Sequence, residues 1–132
     1  MRTGRKGQYV DNAHQGGIFI AVDTMSGKLT GEAMDTHGNT YTAHPESGII
    51  FNGYQLPEWN QALELVKVAA EKAPEVQYSS WDLAHTPDKG WVVVEVNPSG
   101  MFAWQASMQK GCKEELRAIM DQMNLVVAYH LK

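Results

Sequence analysis

A single cysteine, Cys112, stands among 132 residues. An internal disulfide is therefore excluded, and a reducing compartment is the simpler setting. The opening "MRTGRKGQYV" holds no secretory core, so a cytoplasmic protein is expected. No apolar run approaches the roughly 20 residues of a membrane span, and no membrane partner is expected. An excess of one charge is also missing. Eleven Lys and Arg are mixed along the chain with 15 Asp and Glu, for a net charge of −4. That balance argues against a general nucleic-acid surface. Repeats, low-complexity tracts and long linkers are absent as well, which leaves one domain, 1–132, with one core.

What is present is an alternation of hairpins and helices. The basic, glycine-rich start (Arg2, Gly4, Arg5, Lys6, Gly7) reads most simply as a frayed terminus, or else as the interior of a larger domain. "GGIFIAVD" and "KLTGEAMD" flank "TMSG" and predict a hairpin, with Gly27 free to adopt a left-handed turn conformation. The polar segment from Thr36 to Pro57 reads as loop with short strand pieces. Pro57 opens a helix whose apolar stripe is Trp59, Ala62, Leu63, Val66, Ala69, Ala70 and Ala73, and Pro74 ends it. A second hairpin follows. After a broken segment, a second helix begins near Lys113 with Leu116, Ile119, Met120, Met123 and Val127 on one face. The expected fold class is α+β, an antiparallel sheet built from hairpins with helices packed on one face.

The second hairpin, "SSWDLAHTPDKGWVVVEVN", carries the chemistry. A four-residue turn at Pro87–Gly90 would set Thr86 opposite Trp91, Leu83 opposite Val94, Asp82 opposite Glu95 and Ser80 opposite Asn97. Ser80, Asp82, Glu95 and Asn97 then share one face, while Trp81, Leu83, Val92, Val94 and Val96 share the other and supply the core. Two carboxylates directly opposed on a strand pair repel. A cation between them reverses the sign, and hard divalent ions take one or two carboxylates together with substrate phosphates. The bland alternative is a solvated acidic face with no ion. A slip of one residue would separate the pair.

Joined with "YVDNAHQGGIFIAVDTMSGKL" and "AHPESGIIFNGYQLPEWNQALELVKVAA", this hairpin resembles the ATP-grasp superfamily. More narrowly it resembles the sugar-transfer-associated branch, related to α-L-glutamate ligases. The resemblance implies that Asp82, Glu95 and Asn97 hold Mg2+ (or Mn2+) against the phosphates of ATP. It adds Asn12, Gly16 and Gly17 to Glu95 as nucleotide-binding residues, since glycines let backbone amides approach an anion. It implies catalytic roles for Arg2, as the strand arginine that meets transferred phosphate, and for His14, where related ligases carry a basic residue. Val10 stands where glutamylating ligases have an arginine, so Arg5 or Lys6 substitutes there or the activity differs.

In the parent family ATP phosphorylates a carboxylate to an acylphosphate, which an amine attacks. Nothing in this chain matches the lysines and adenine-binding segment of that fold. The resemblance is therefore to the C-terminal portion, and the N-terminal half is an expected partner beside ATP and a carboxylate and amine substrate. The isolated chain is expected to be inactive, and its uncovered face to be buried by another copy in a homo-oligomer. The alternative is a non-catalytic module for binding or assembly.

The remaining residues read as structural. Trp59, Trp81, Trp91 and Trp104 are expected in packing rather than ligand stacking. Met101, Met108, Met120 and Met123 are expected as core fillers. Cys112 reads as inert, and His44 as a loop residue. Gln105 is structural or lines the acceptor pocket. His37, His85 and His130 receive no role.

Overall fold

The computed structural model describes residues 1–3, 17–76, 78–97, 105 and 110–123. Its centre is strand β2 (Ile18–Val22), in which Ile18, Phe19 and Ile20 are all buried. Such a continuous apolar run suits a strand covered on both faces. β2 lies inside a four-stranded antiparallel sheet of order β1-β2-β3-β4, flanked by β1 (Arg2–Thr3) and β3 (Leu29–Met34), with β4 (Thr40–Tyr41) at the far edge. Arg2 pairs with Phe19 and Thr3 with Ile18, so Arg2 and Thr3 are an edge strand and not a frayed end.

The β2–β3 turn is held by Asp23. One of its carboxylate oxygens accepts the Ser26 backbone N–H at 2.7 Å and the Ser26 hydroxyl at 2.9 Å. Those bonds hold the Asp23 carboxyl below its ordinary range. Gly27 takes the expected left-handed conformation, with φ 72°, and donates to the Asp23 carbonyl at 2.7 Å. Further along, Phe19 pairs with Met34 but Ala21 with Thr30, so β3 carries extra residues at a bulge.

The segment after β4 closes the core. Phe51 and Leu56 pack with Ile18, Ile20, Leu29 and Ala33. Two side-chain devices, at His44 and at Asp35, hold the turns on either side of β4. His44 accepts the backbone N–H groups of Glu46 and Ser47 on Nδ1, each at 3.3 Å. In a neutral ring this leaves the proton on Nε2, which faces the Thr3 hydroxyl at 3.1 Å. The "HP" motif thus folds its own turn and ties it to β1. Asp35 is 6 % exposed and receives four hydrogen bonds, from the backbone of His37 and Asn39, the Asn39 side chain and the Tyr41 hydroxyl. The Asn39 amide leads these donors in holding the carboxyl well below its usual range, against the upward push of burial.

Helix α1 spans Trp59–Ala70, with Ala62 buried and Trp59, Leu63, Val66 and Ala69 half-buried on the expected stripe, whereas Ala70, expected there too, is exposed. Its backbone tightens after Ala70 and stops short of Pro74. Helix α2 spans Lys113–Gln122 and has no buried residue. Leu116 and Met120 are half-buried, but Ile119 and Met123 are exposed, so the expected apolar face is only partly covered. Gln105 has a structural part here, its Oε1 accepting the Cys112 N–H at 2.8 Å at the start of α2.

Strands β5 (Ser80–Thr86) and β6 (Gly90–Asn97) form a separate two-stranded sheet. The turn is shorter than expected. Thr86 faces Gly90, leaving Pro87, Asp88 and Lys89 as the loop, and Gly90 supplies the left-handed residue with φ 64°. The one-residue error is undone at a bulge. Leu83 faces Val93, Asp82 faces Glu95, and Val94 is the inserted residue. Below the bulge the predicted register stands. Above it the faces exchange, so Val93 and Trp91 join Leu83 and Trp81, while Val92 moves to the Asp82 side. Val94 is 65 % exposed and Val96 47 %, so these two are not core residues. Residues Trp104, Met101, Met108 and His130 lie outside the described residues.

Candidate functional site

The base of the β5–β6 hairpin sets the geometry. Asp82 and Glu95 are direct partners in the ladder, and so are Ser80 and Asn97. Their unbroken register puts all four on one face of the ribbon. Glu95 is exposed and Asn97 half-buried, and neither side chain meets a partner among the described residues. Asp82 does. The Arg2 guanidinium donates through Nη2 to Asp82 Oδ2 at 3.2 Å, with side-chain exposures of 29 % and 40 %. β1, the edge of the other sheet opposite β4, thereby reaches the acidic pair. Gly17 is buried just ahead of β2. Asn12, His14 and Gly16 lie outside the described residues.

Beside the ion pair lies a cavity of about 300 Å³, lined among others by Arg2, Asp82, Phe19, Trp59, Trp81 and Trp91. This is the lower end of the size range for small-molecule sites, and apolar walls with a few convergent polar groups are the usual composition. Two of the tryptophans are fixed by hydrogen bonds. Trp59 Nε1 donates to the Thr24 carbonyl at 2.9 Å, and Trp91 Nε1 to the Pro57 carbonyl at 2.8 Å. The rings meet edge to face with centroids 6.1 Å apart, and His85 meets Trp91 similarly at 5.2 Å. Their N–H groups being engaged, these indoles offer the cavity only carbon surface.

Glu58, between Pro57 and Trp59, is the one non-glycine residue with positive φ among the described residues (48°). Its carboxylate lies 3.5 Å from His85 Nε2. The left-handed residue turns the chain so that the Pro57 carbonyl meets Trp91 while Trp59 enters the helix. Sequence reasoning gave Glu58 and His85 no part. The tight Pro-x-Trp spacing ahead of the helix is the available signal; it marks the helix start and forms part of the stretch that carries the family resemblance, but it indicates no contact for either residue.

A family model described as sugar-transfer associated ATP-grasp matches residues 1–121. The chain belongs to that family. No curated protein and no solved structure matches it. The match runs from β1 into α2 and so takes in Arg2, Asp82, Glu95 and Asn97. Membership in the ATP-grasp superfamily implies use of ATP and a divalent metal in general terms. The residues fit such an ion in kind: two opposed carboxylates and an amide oxygen form a hard, all-oxygen set of the sort that is completed by phosphates and water. Among the described residues no group of three or more His, Cys, Asp or Glu is placed to hold a metal. No helix among them is long and apolar enough to cross a membrane.

Proposed function

We propose that this ATP-grasp chain supplies the metal and ATP-phosphate side of an ATP-dependent carboxylate–amine ligase that works through an acylphosphate. The observation that carries the reading is the direct opposition of Asp82 and Glu95, with Asn97 on the same face and Arg2 against Asp82. Asp82, Glu95 and Asn97 would hold Mg2+ or Mn2+, which when bound offsets charge on phosphate oxygens. Arg2 presents a planar, permanently charged donor to the same oxygens. Arg2 and Asp82 also line the cavity whose other walls include Trp59, Trp81 and Trp91, which gives that side of the site an apolar border. Asn12, Gly16, Gly17 and His14 complete the phosphate and acceptor side in this reading. The adenine grip belongs to a second α+β unit, and the isolated chain is expected to bind without turnover.

A second reading is favoured by the thinness of the donor set, two carboxylates where clusters of three acids or histidines are absent among the described residues. In it the chain is a non-catalytic ATP-grasp module for binding or assembly. Mn2+ titration followed by electron paramagnetic resonance, with and without ATP, separates the two. Under the first reading Glu95→Gln and Asp82→Asn weaken ion binding severely and Asn97→Ala weakens it less. Glu95→Gln should leave ion-free stability unchanged or raised by a few tenths of a kcal/mol, near the low end for cross-strand pairs, because Arg2 already offsets part of the repulsion. Ion binding indifferent to all three changes, or an ion-free protein that unfolds on Glu95→Gln, refutes the ligase reading.

A further inference from the structure

Asp82 stands between charges of opposite sign. Glu95 is its direct partner across the hairpin, and the Arg2 guanidinium lies 3.2 Å from its Oδ2. Arg2 is firmly placed, because both residues of β1 are paired to β2 and its side chain is only 29 % exposed. A guanidinium on one member of an opposed carboxylate pair does what a metal ion would do there: it offsets the repulsion. A divalent ion that arrives alone therefore meets a resident positive charge and has to displace it from a carboxylate oxygen. An ion that arrives on a polyphosphate brings oxygens that accept the guanidinium in a bidentate manner.

We propose that Arg2 makes this site select a metal–polyphosphate complex over the free cation, by giving up its Asp82 contact for a phosphate contact as the complex enters. The inference rests on the metal reading above and adds to it an order of events. Ion and phosphate enter together, and Arg2 balances the charge of Asp82 from within the chain until they do. The exchange is short. Arg2 and Asp82 both line the same cavity, so the guanidinium changes partner without leaving it.

The test uses two probes, free Mn2+ by electron paramagnetic resonance and Mg·ADP by calorimetry, on the wild type, Arg2→Gln, Arg2→Lys and Glu95→Gln. Arg2→Gln removes the charge and keeps a strand-compatible side chain of similar reach. Free Mn2+ should bind it about two- to fivefold more tightly, the span for a part-exposed ion pair. Mg·ADP should bind it about tenfold or more weakly, the loss expected for hydrogen bonds between charged groups. Arg2→Lys keeps the charge, so it should leave Mn2+ near the wild-type value and retain part of the Mg·ADP affinity, and it carries the test if the Gln variant does not fold. Shifts of the two probes in the same direction, or Mn2+ binding to Arg2→Gln that is unchanged or weaker, overturn the proposal. If Glu95→Gln abolishes Mn2+ binding while Arg2→Gln leaves it alone, the metal reading stands and the exchange fails. If the wild type binds neither probe, both fail.

Discussion

Replacing Gly27 with alanine should be among the most damaging single-methyl changes this chain can suffer. Two separate costs meet at that position. Gly27 has φ 72°, and a left-handed conformation costs an L-residue about 1–2 kcal/mol, of which the stiffer unfolded chain returns about 0.4–1. The second cost is steric. A Cβ at Gly27 would stand 2.6 Å from Trp59 Cδ1, 2.5 Å from its Cβ and closer still to its Cγ. Rotation about the side-chain torsions cannot move Trp59 Cβ, so the first turn of α1 must retreat. Overpacking of this kind costs about 1–3 kcal/mol. The retreat also strains the Trp59–Thr24 hydrogen bond, worth about 0.5–1.5 kcal/mol. The total is about 2–5 kcal/mol, a large share of the roughly 5–15 available to a domain.

Gly53→Ala is the control. Gly53 has φ 85° and nothing within 4 Å of its would-be Cβ, so it carries the backbone cost alone. Urea unfolding of both variants at 25 °C, followed by tryptophan fluorescence, isolates the clash as a difference. Gly27→Ala should be the less stable by at least about 1.5 kcal/mol, with a shifted native emission as the indole wall of the cavity moves. Equal stability of the two variants would refute the packing argument.

Two further outcomes are expected. The folded-state pKa of Asp35 is held far down, so the stability it lends is complete above about pH 4 and falls away as the pH drops toward that lowered value. Urea midpoints between pH 2.5 and 7 should therefore fall steeply on the acid side for the wild type, and less steeply for Asp35→Asn, which should also be weaker at neutral pH. Val94→Ala, at the exposed bulge, should change stability by no more than about 0.5 kcal/mol, whereas Leu29→Ala should cost about 2–5, both read from thermal or urea unfolding.

The sequence carried the elements well because each rests on local chemistry. The β2–β3 turn follows from Asp23 and Gly27, and α1 from its apolar stripe. The acidic pair was legible too, though by two errors that cancelled. The four-residue turn expected at Pro87–Gly90 is a three-residue loop with Gly90 left-handed, and a bulge at Val94 restores the register below it. Valine runs hide such a bulge, since Val92, Val93, Val94 and Val96 are chemically alike and nothing marks the inserted one. The same likeness assigned Val94 and Val96 to the core. Non-local contacts were out of reach. Arg2 and Asp82 are 80 residues apart, and Trp91 and Pro57 are 34 apart. No periodicity relates such positions; only the closed fold does.

The two indole hydrogen bonds have a mechanical meaning. Trp59 fastens the start of α1 to the β2–β3 turn, and Trp91 fastens the β5–β6 hairpin to Pro57 at the head of that helix. The Trp91 fastener and the His85–Glu58 contact grip the hairpin near its turn. Asp82, Glu95 and Asn97 sit toward the opposite end, four or more residues along β6 from Trp91, or roughly 13 Å or more at about 3.3 Å per residue. The hairpin is thus moored at both ends, near its turn by Trp91 and His85 and at its charged end by the Arg2–Asp82 pair. Loss of the Arg2 mooring would free the charged end, and the bulge at Val94 lies between the two moorings as the natural point of bending.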